Sequence, residues 1–485
     1  MGHHLGGVLQ HGEIGFLHLL EIAVFTTDGI FGLPLRVAAT YAFMFVLFGT
    51  LLQACGGGDF FYDFAAAQTG RRTGGPAKIA VVSSGMYGMV SGSPTADVVT
   101  TGAVTIPVMK RLGYSGTYAG AIEVAASTGG SIMPPVMGTA AFIMVDFTGI
   151  EYRDIAIAAL IPAILYYVSV YSQVHFSARR FGLGALTGTI PAMLATLRNG
   201  GMFIVPLVVL TVALLKNYTP TMVAVYGLLA VLAVAMLRAS TRIGPIGLAR
   251  VIVETCYRMV PVAGACAATG LVIAGITMTG LAAKFAHVIY AITDAQLLPT
   301  LILGAALTVV LGMGMPTPSA YILAAALMGQ TIENLGVSLL ATHFFILYYA
   351  VMSALTPPVA VAAYAASIAE ANPLHIAAIA VKFALTAFLV PFVFRPEFLL
   401  QGPWQVTLLT FVTAFAGLIV LAAAIEGFRY RPLNAWRRLL LSAAGFALVL
   451  PSAGLALVGG GIVAAYIAHA QLLARRAARA AGDIQ

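Results

Sequence analysis

The sequence predicts an all-α polytopic membrane protein, on three observations. Apolar runs of roughly 20 residues, long enough to span a bilayer's hydrocarbon core, recur along most of the 485-residue chain. Hydrophobic residues make up 60% of it and charged ones 9%, too few polar side chains to cover a soluble protein of this size. Basic residues collect in the short gaps between the apolar runs, as the positive-inside bias requires.

Those gaps are "TGRRTGGPAK" (69–78), "MKR" (109–111), "SARR" (177–180), "RYRPLNAWRR" (429–438) and "ARRAAR" (474–479). They account for the net charge of +8 without the basic–aromatic interleaving of a nucleic-acid surface. The partner of this charge is the lipid bilayer, and no nucleic-acid partner is expected. Cys55, Cys256 and Cys266 have no metal-ligand spacing. On one helix Cys256 and Cys266 would lie about 15 Å apart, too far for a disulfide. The N-terminus lacks the charged-then-apolar pattern of a signal peptide, so insertion is expected to rely on the first span.

Residues 14–32 mix apolar positions at helical spacing with Glu21 and Asp28, which predicts an interfacial amphipathic helix within an N-terminal segment 1–32. The first clear span is 33–52, and the polar stretch 53–75 that follows should not cross. Further spans are expected near 117–147, 155–175, 200–215, 221–237, 251–275, 296–312, 339–352, 373–394 and 404–426, in all roughly 10–14 helices. The C-terminal part, 396–485, ends in two basic loops flanking an apolar stretch interrupted by "PSAG" (451–454). If both loops are cytoplasmic that stretch crosses twice or forms a re-entrant hairpin. If it crosses once, one loop violates the charge rule.

An internal repeat organises the middle of the chain. "SGSPTADVV" (91–99) has a counterpart in "GMGMPTPSAYI" (312–322), with Pro94–Thr95 aligned on Pro316–Thr317. Pro134–Pro135 follows the first and Pro357–Pro358 the second, at separations of 40 (94 to 134) and 41 (316 to 357). The first repeat is read over 33–175 and the second over 250–395, joined by spans in 176–249. Pro removes a backbone donor and Gly loosens a helix, so each segment should break into half-helices. Such backbone survives at membrane depth only where it lines a cavity or binds something. Paired broken helices in two halves point to a secondary transporter's binding site. Their carbonyls and hydroxyls suit Na⁺, and half-helix N-termini suit an anionic substrate.

The stretches 91–114, 123–144, 312–325 and 343–369 resemble the large membrane subunit of the tripartite ATP-independent periplasmic (TRAP) transporters, in particular the TAXI branch. The resemblance implies an inverted-repeat, elevator-type, sodium-coupled importer of an organic acid or amino-acid-like anion in a bacterial inner membrane. Substrate would arrive from a periplasmic solute-binding protein, with Na⁺ as coupling ion and no other cofactor. Two re-entrant hairpins, near 60–105 and 296–330, would meet the breaks at Pro134, Pro135, Pro357 and Pro358 around substrate and Na⁺. Fused TAXI permeases carry additional N-terminal spans, whereas here the match starts almost at the first amphipathic helix. A small membrane subunit is therefore expected as a separate chain, or this form is truncated or unusual.

The first cation site is assigned to Ser91, Ser93 and Thr95 with Ser127 and Thr128. Asp97 either adds charge to it or caps a half-helix. The second site follows by repeat logic as Gly314, Thr317 and Ser319 with Ser353 and Thr356. Lys382, inside an apolar stretch, is read as a partner for the substrate carboxylate, the alternative being snorkelling or pairing with a neighbouring helix. Arg258 can pair with Glu254 one turn before it. An enzyme is not expected. Asp59 and Asp63 are one turn apart in a polar gap, not on facing spans as an aspartyl protease dyad requires, and neither metal-ligand spacing nor a phosphate loop is present. The alternatives are a stand-alone Na⁺–carboxylate symporter and a non-transporting membrane subunit.

Overall fold

The computed structural model describes residues 4, 6–7, 10–186, 190–394, 399–428, 432–450 and 452–482, with the backbone alone for 469–482. The basic residues 429–431 and 474–479 and Pro451 thus fall wholly or in their side chains outside the description. Among the described residues the architecture is all-helical, without a named strand.

The N-terminal helix is shorter than 14–32. It comprises α1 (Phe16–Leu20) and a wide turn over Glu21–Phe25, then turns to residue 32. Phe16, Leu17 and Phe25 are exposed, consistent with an element whose apolar face meets something other than the core. The first span is α2 (Leu33–Val37) and α3 (Phe43–Ala54), kinked at Thr40, whose hydroxyl donates back to the Arg36 carbonyl at 2.8 Å. The polar stretch after it holds a helix of its own, α4 (Gly57–Thr69).

The first hairpin is α5 (Gly75–Ser91) and α6 (Pro94–Arg111), packed on each other. It begins at Gly75, not near 60, because Gly70–Gly74 separates it from α4. A broken helix follows as α7 (Gly116–Gly130) and α8 (Thr139–Thr148), then the long α9 (Tyr152–Arg180). The linker contributes α10 (Met193–Gly200), α11 (Ile204–Leu215) and α12 (Pro220–Ala235).

The second half repeats the order. α13 (Pro245–Thr279) corresponds to α2–α3, and α14 (Leu281–Thr293) to α4. α15 (Leu297–Gly312) and α16 (Thr317–Glu333) form the second hairpin. α17 (Leu339–Met352) and α18 (Val361–Ala365) form the second broken helix. α19 (Pro373–Ala384) continues into a 3₁₀ segment, Ala387–Val393, bent by 49°. Beyond it, α20 (Trp404–Glu426) packs along α9, α21 (Ala435–Val449) returns on α20, and α22 (Ala453–Gly482) packs on α21. The apolar C-terminal stretch therefore forms two helices.

Among the described residues the expected 10–14 helices appear as 22 α-helical segments, because Gly and Pro breaks divide several of them. Among the described residues, five helices have the length and apolar character to cross a membrane, or six counting the bent pair. α7 and α17 are buried along nearly their whole length, so the paired broken helices form the centre of the core.

Candidate functional site

The site is built from two hairpin tips and the two helix breaks behind them. α5 ends at Gly92 in the left-handed region (φ 63°), Ser93 caps α6 by accepting from the Ala96 N–H at 3.4 Å, and Pro94 takes the first helical position. The second tip repeats this with Gly314 (φ 77°) and Pro316 ahead of Thr317. Glycine is required at 92 twice over, since a Cβ there would also lie 2.4 Å from the Met137 carbonyl oxygen.

The breaks correspond equally closely. Pro134–Pro135 and Pro357–Pro358 are both cis, and Met137 (φ 59°) and Ala360 (φ 36°) share a left-handed backbone three positions after the first proline. Ser131 Oγ donates to the Gly92 carbonyl at 3.0 Å, and Ser353 Oγ to the Gly312 carbonyl at 3.2 Å. Each break is thereby tied to its own hairpin tip. The second halves cross over: α8 packs on α16, and α18 on α6. This exchange brings the two tips together.

Between the tips lies a cavity of about 540 Å³. Ser91, Ser93, Thr95, Gly314 and Thr317 line it, as do Thr50 of α3 and Glu254 and Arg258 of α13. The Arg258–Glu254 pair forms as expected, Nε to Oε1 at 3.0 Å. Arg258 also donates to Gln53 Oε1 at 3.0 Å, and that oxygen accepts from the Tyr87 hydroxyl at 2.7 Å. These contacts fix a guanidinium on the cavity wall, a geometry that matches carboxylates.

Behind the first tip, Asp97 is fully buried. Its Oδ1 accepts from Ser91 Oγ, and its Oδ2 has no hydrogen-bond partner among the described residues. Capping falls to Ser93, not Asp97. The carboxylate sits where α5 and α7 cross at Gly88 and Gly130: a Cβ on Gly88 would lie 2.7 Å from Gly130 Cα and 2.9 Å from Asp97 Oδ2. A buried carboxylate oxygen without a donor suits a cation.

Farther along α7, Glu123 is also fully buried. It accepts from four hydroxyls: Ser84 at 2.6 Å, Ser127 at 3.3 Å, Thr101 and Thr105. Sequence reasoning missed this ring and the place of Arg258 on the cavity. Aligning the repeats position by position would have exposed the ring. A shift of 222 (94 to 316) or 223 (134 to 357) puts Ala306, Leu323, Leu327, Ile346 and Ala350 where the first repeat has Ser84, Thr101, Thr105, Glu123 and Ser127.

Several proposed ligands do not reach the cavity. Ser127 turns to Glu123, and Thr128 bonds back to the Val124 carbonyl at 2.7 Å. Ser319 is buried in α16. Ser353 and Thr356 bond the carbonyls of Ala350 at 2.7 Å and Met352 at 2.8 Å. The four prolines shape the breaks and are not cavity-lining residues. Lys382 departs most from expectation. Its Nζ lies 2.7 Å from Glu426 Oε1 on α20, and it does not line the cavity. A fully buried carboxylate in the neighbouring helix outcompetes a distant ligand for the ammonium, so pairing with a neighbouring helix is the arrangement found.

Residues 11–398 match the family model of the tripartite ATP-independent periplasmic transporter, DctM component. The chain is 31% identical over 196 residues to the y4mL protein of Sinorhizobium fredii, covering 40% of this chain and 46% of that one. It is 26% identical over 174 residues to the C4-dicarboxylate TRAP transporter large permease protein DctM of Pseudomonas aeruginosa, covering 34% and 40%. It is also 26% identical over 138 residues to the sialic acid TRAP transporter large permease protein SiaM of Vibrio cholerae, covering 28% and 32%. The matched part thus spans less than half the length of each of these relatives.

Proposed function

The chain belongs to the DctM component family of tripartite ATP-independent periplasmic transporters, and from that premise we propose that it is the large membrane subunit of a sodium-coupled importer of an organic acid or related anion. In this reading it is of the TAXI branch, resides in a bacterial inner membrane, receives substrate from a periplasmic binding protein and works with a small membrane subunit.

The observation that carries the proposal is the meeting of two matched tips, Gly92 and Gly314, across one cavity that also holds Arg258. Na⁺ is assigned beside the first tip, where the orphaned Asp97 Oδ2 and the hydroxyl of Ser91 offer hard oxygen ligands. Ser93, Thr95 and Thr317 supply further hydroxyls at the cavity, and the substrate carboxylate is assigned to Arg258. Re-entrant hairpins and an elevator motion are proposed for the same reason. The hairpins and broken helices pack on one another, while α3 packs on α12 and α13 and α11 on α12, the two groups meeting where α3 touches α5 and α13 touches α16; this division supports a moving body against a frame.

The test is uptake by proteoliposomes containing the chain and the small subunit, with and without an inward Na⁺ gradient and a loaded binding protein. Uptake requiring both supports the tripartite reading. Uptake requiring Na⁺ alone moves the chain to the stand-alone symporters, and uptake indifferent to Na⁺ overturns the coupling assignment.

A further inference from the structure

A second cavity, of about 590 Å³, lies away from the hairpin tips between α5, α9 and α20. Its walls are almost wholly apolar, with Val82 and Met86 from α5, Tyr167 and Val168 from α9, and Phe415 and Ile419 from α20. The third wall is outside the matched family region, which ends at residue 398. The groove is therefore closed by a helix that follows the matched region.

One end of the groove is basic. Lys78 of α5 is only 3% exposed, and its Nζ donates to His175 Nδ1 of α9 at 2.9 Å. That bond leaves the imidazole proton on Nε2. The same ammonium stands 5.2 Å from the centre of the Tyr171 ring, and Arg72 and Arg179 both act on it electrostatically. Among the described residues, no carboxylate forms an ion pair with Lys78 or His175. The nearby acid of α20, Glu426, already faces Arg180 and Lys382. A buried ammonium without a counter-charge is costly, and no described side chain supplies the complement.

Geometry and sidedness identify that complement. From Lys78 to Met89 the helical rise gives about 16 Å, close to half of the ~30 Å hydrocarbon core and thus to one leaflet. The basic end adjoins the loops 69–78 and 177–180, cytoplasmic by the charge rule, and the cytoplasmic leaflet is the one rich in anionic headgroups. We propose that the groove holds one anionic phospholipid, its phosphate held by Lys78 and Arg72 and an acyl chain lying along α5, α9 and α20.

The test measures, by native mass spectrometry, which lipid the full chain retains from an equimolar mixture of phosphatidylglycerol and phosphatidylcholine. Wild type should retain phosphatidylglycerol preferentially. The double variant Lys78→Gln/Arg72→Gln should lower that preference by roughly thirty-fold, at about a fivefold loss per basic residue, while Arg437→Gln, outside the groove, should not. Met86→Trp fills the apolar part without touching the cations and should abolish retention. Equal retention of both lipids by wild type overturns the proposal, as does an unchanged preference in the double variant. So does an equal loss in Arg437→Gln, or retention surviving Met86→Trp.

Discussion

The two repeats share a backbone and differ in chemistry. Both have a hairpin tip with a left-handed glycine, a cis Pro-Pro break, and a serine stitching break to tip. Among the described residues, only the first places fully buried carboxylates inside this frame. Asp97 has Ser319 at its matched position, and Glu123 with its four hydroxyl donors has Ile346 among alanines and leucines. What is common to both halves therefore follows from the need for non-helical backbone inside a membrane protein. What is confined to one half points to work the halves do not share. In the proposed mechanism the first repeat supplies the charged cation site, and the second supplies backbone, hydroxyls and, from α13, the Arg258 guanidinium.

The strongest way to break this comparison is to change the matched positions one at a time. Asp97→Asn keeps the shape and an acceptor for Ser91 but removes the charge. It should reduce Na⁺-stimulated uptake by about 100-fold, the scale of losing one strong charge-assisted contact. Ser319→Ala, at the equivalent place, should change it less than about threefold. Equal losses in the two variants would show that the halves bind cations alike. Uptake against Na⁺ concentration in proteoliposomes gives both numbers.

The Glu123 ring offers a test of stability. Glu123→Ile alone copies the second repeat's residue but leaves Ser84 and its partner hydroxyls in a core without their acceptor. It should cost about 3 kcal/mol and lower the melting midpoint by about 3 °C. Carrying over all five residues, as Ser84→Ala, Thr101→Leu, Thr105→Leu, Glu123→Ile and Ser127→Ala, removes donors and acceptor together, which can be nearly neutral. The five-fold variant should therefore melt above the single one. If it melts lower, the ring is not interchangeable with an apolar core, and the repeats differ in more than chemistry.

A smaller difference separates the two tip glycines. Alanine in the left-handed region costs roughly 1–2 kcal/mol at either position. At 92 its Cβ would in addition overlap the Met137 carbonyl, whereas at 314 the nearest atom is Val359 Cγ1 at 3.4 Å, an ordinary contact. Gly92→Ala should thus be the more destabilising by thermal melt. Equal shifts would mean the first tip can back away from its break.

Much of this frame was legible in the sequence because Gly and Pro report backbone geometry directly. The 94–134 and 316–357 spacing located both tips and both breaks. The chemistry inside the frame was less legible. Glu123 stands in an apolar run like any helical glutamate, and its donors come from α5 and α6 as well as its own helix, so only the packing reveals the ring. The start of the first hairpin was misjudged because α4 carries the same small and aromatic residues as a hairpin arm. Thr128, Ser353 and Thr356 read as cation ligands in the sequence; in the structure each donates its hydroxyl to a carbonyl three or four residues back and stands away from the cavity lining.

Lys382 gives the smallest expected effect on transport and sharpens the contrast between the repeats from the other side. Its matched position in the first repeat is Ala159, so a substrate role would have given the second repeat a basic group at the site in addition to Arg258. The structure instead directs the ammonium to Glu426, a fully buried carboxylate that Arg180 also approaches at 3.8 Å. Lys382→Ala should leave the substrate concentration for half-maximal uptake within about twofold of wild type. It should lower the melting midpoint, because it strips a buried acid of its nearer cation. The effect is moderated by the partial exposure of Lys382 and by Arg180, which stays. Adding Glu426→Gln should return part of that loss, since the charge then disappears with its partner. A raised half-saturation with an unchanged melting point would reverse both conclusions, moving Lys382 to the substrate and leaving α20 held by apolar packing alone.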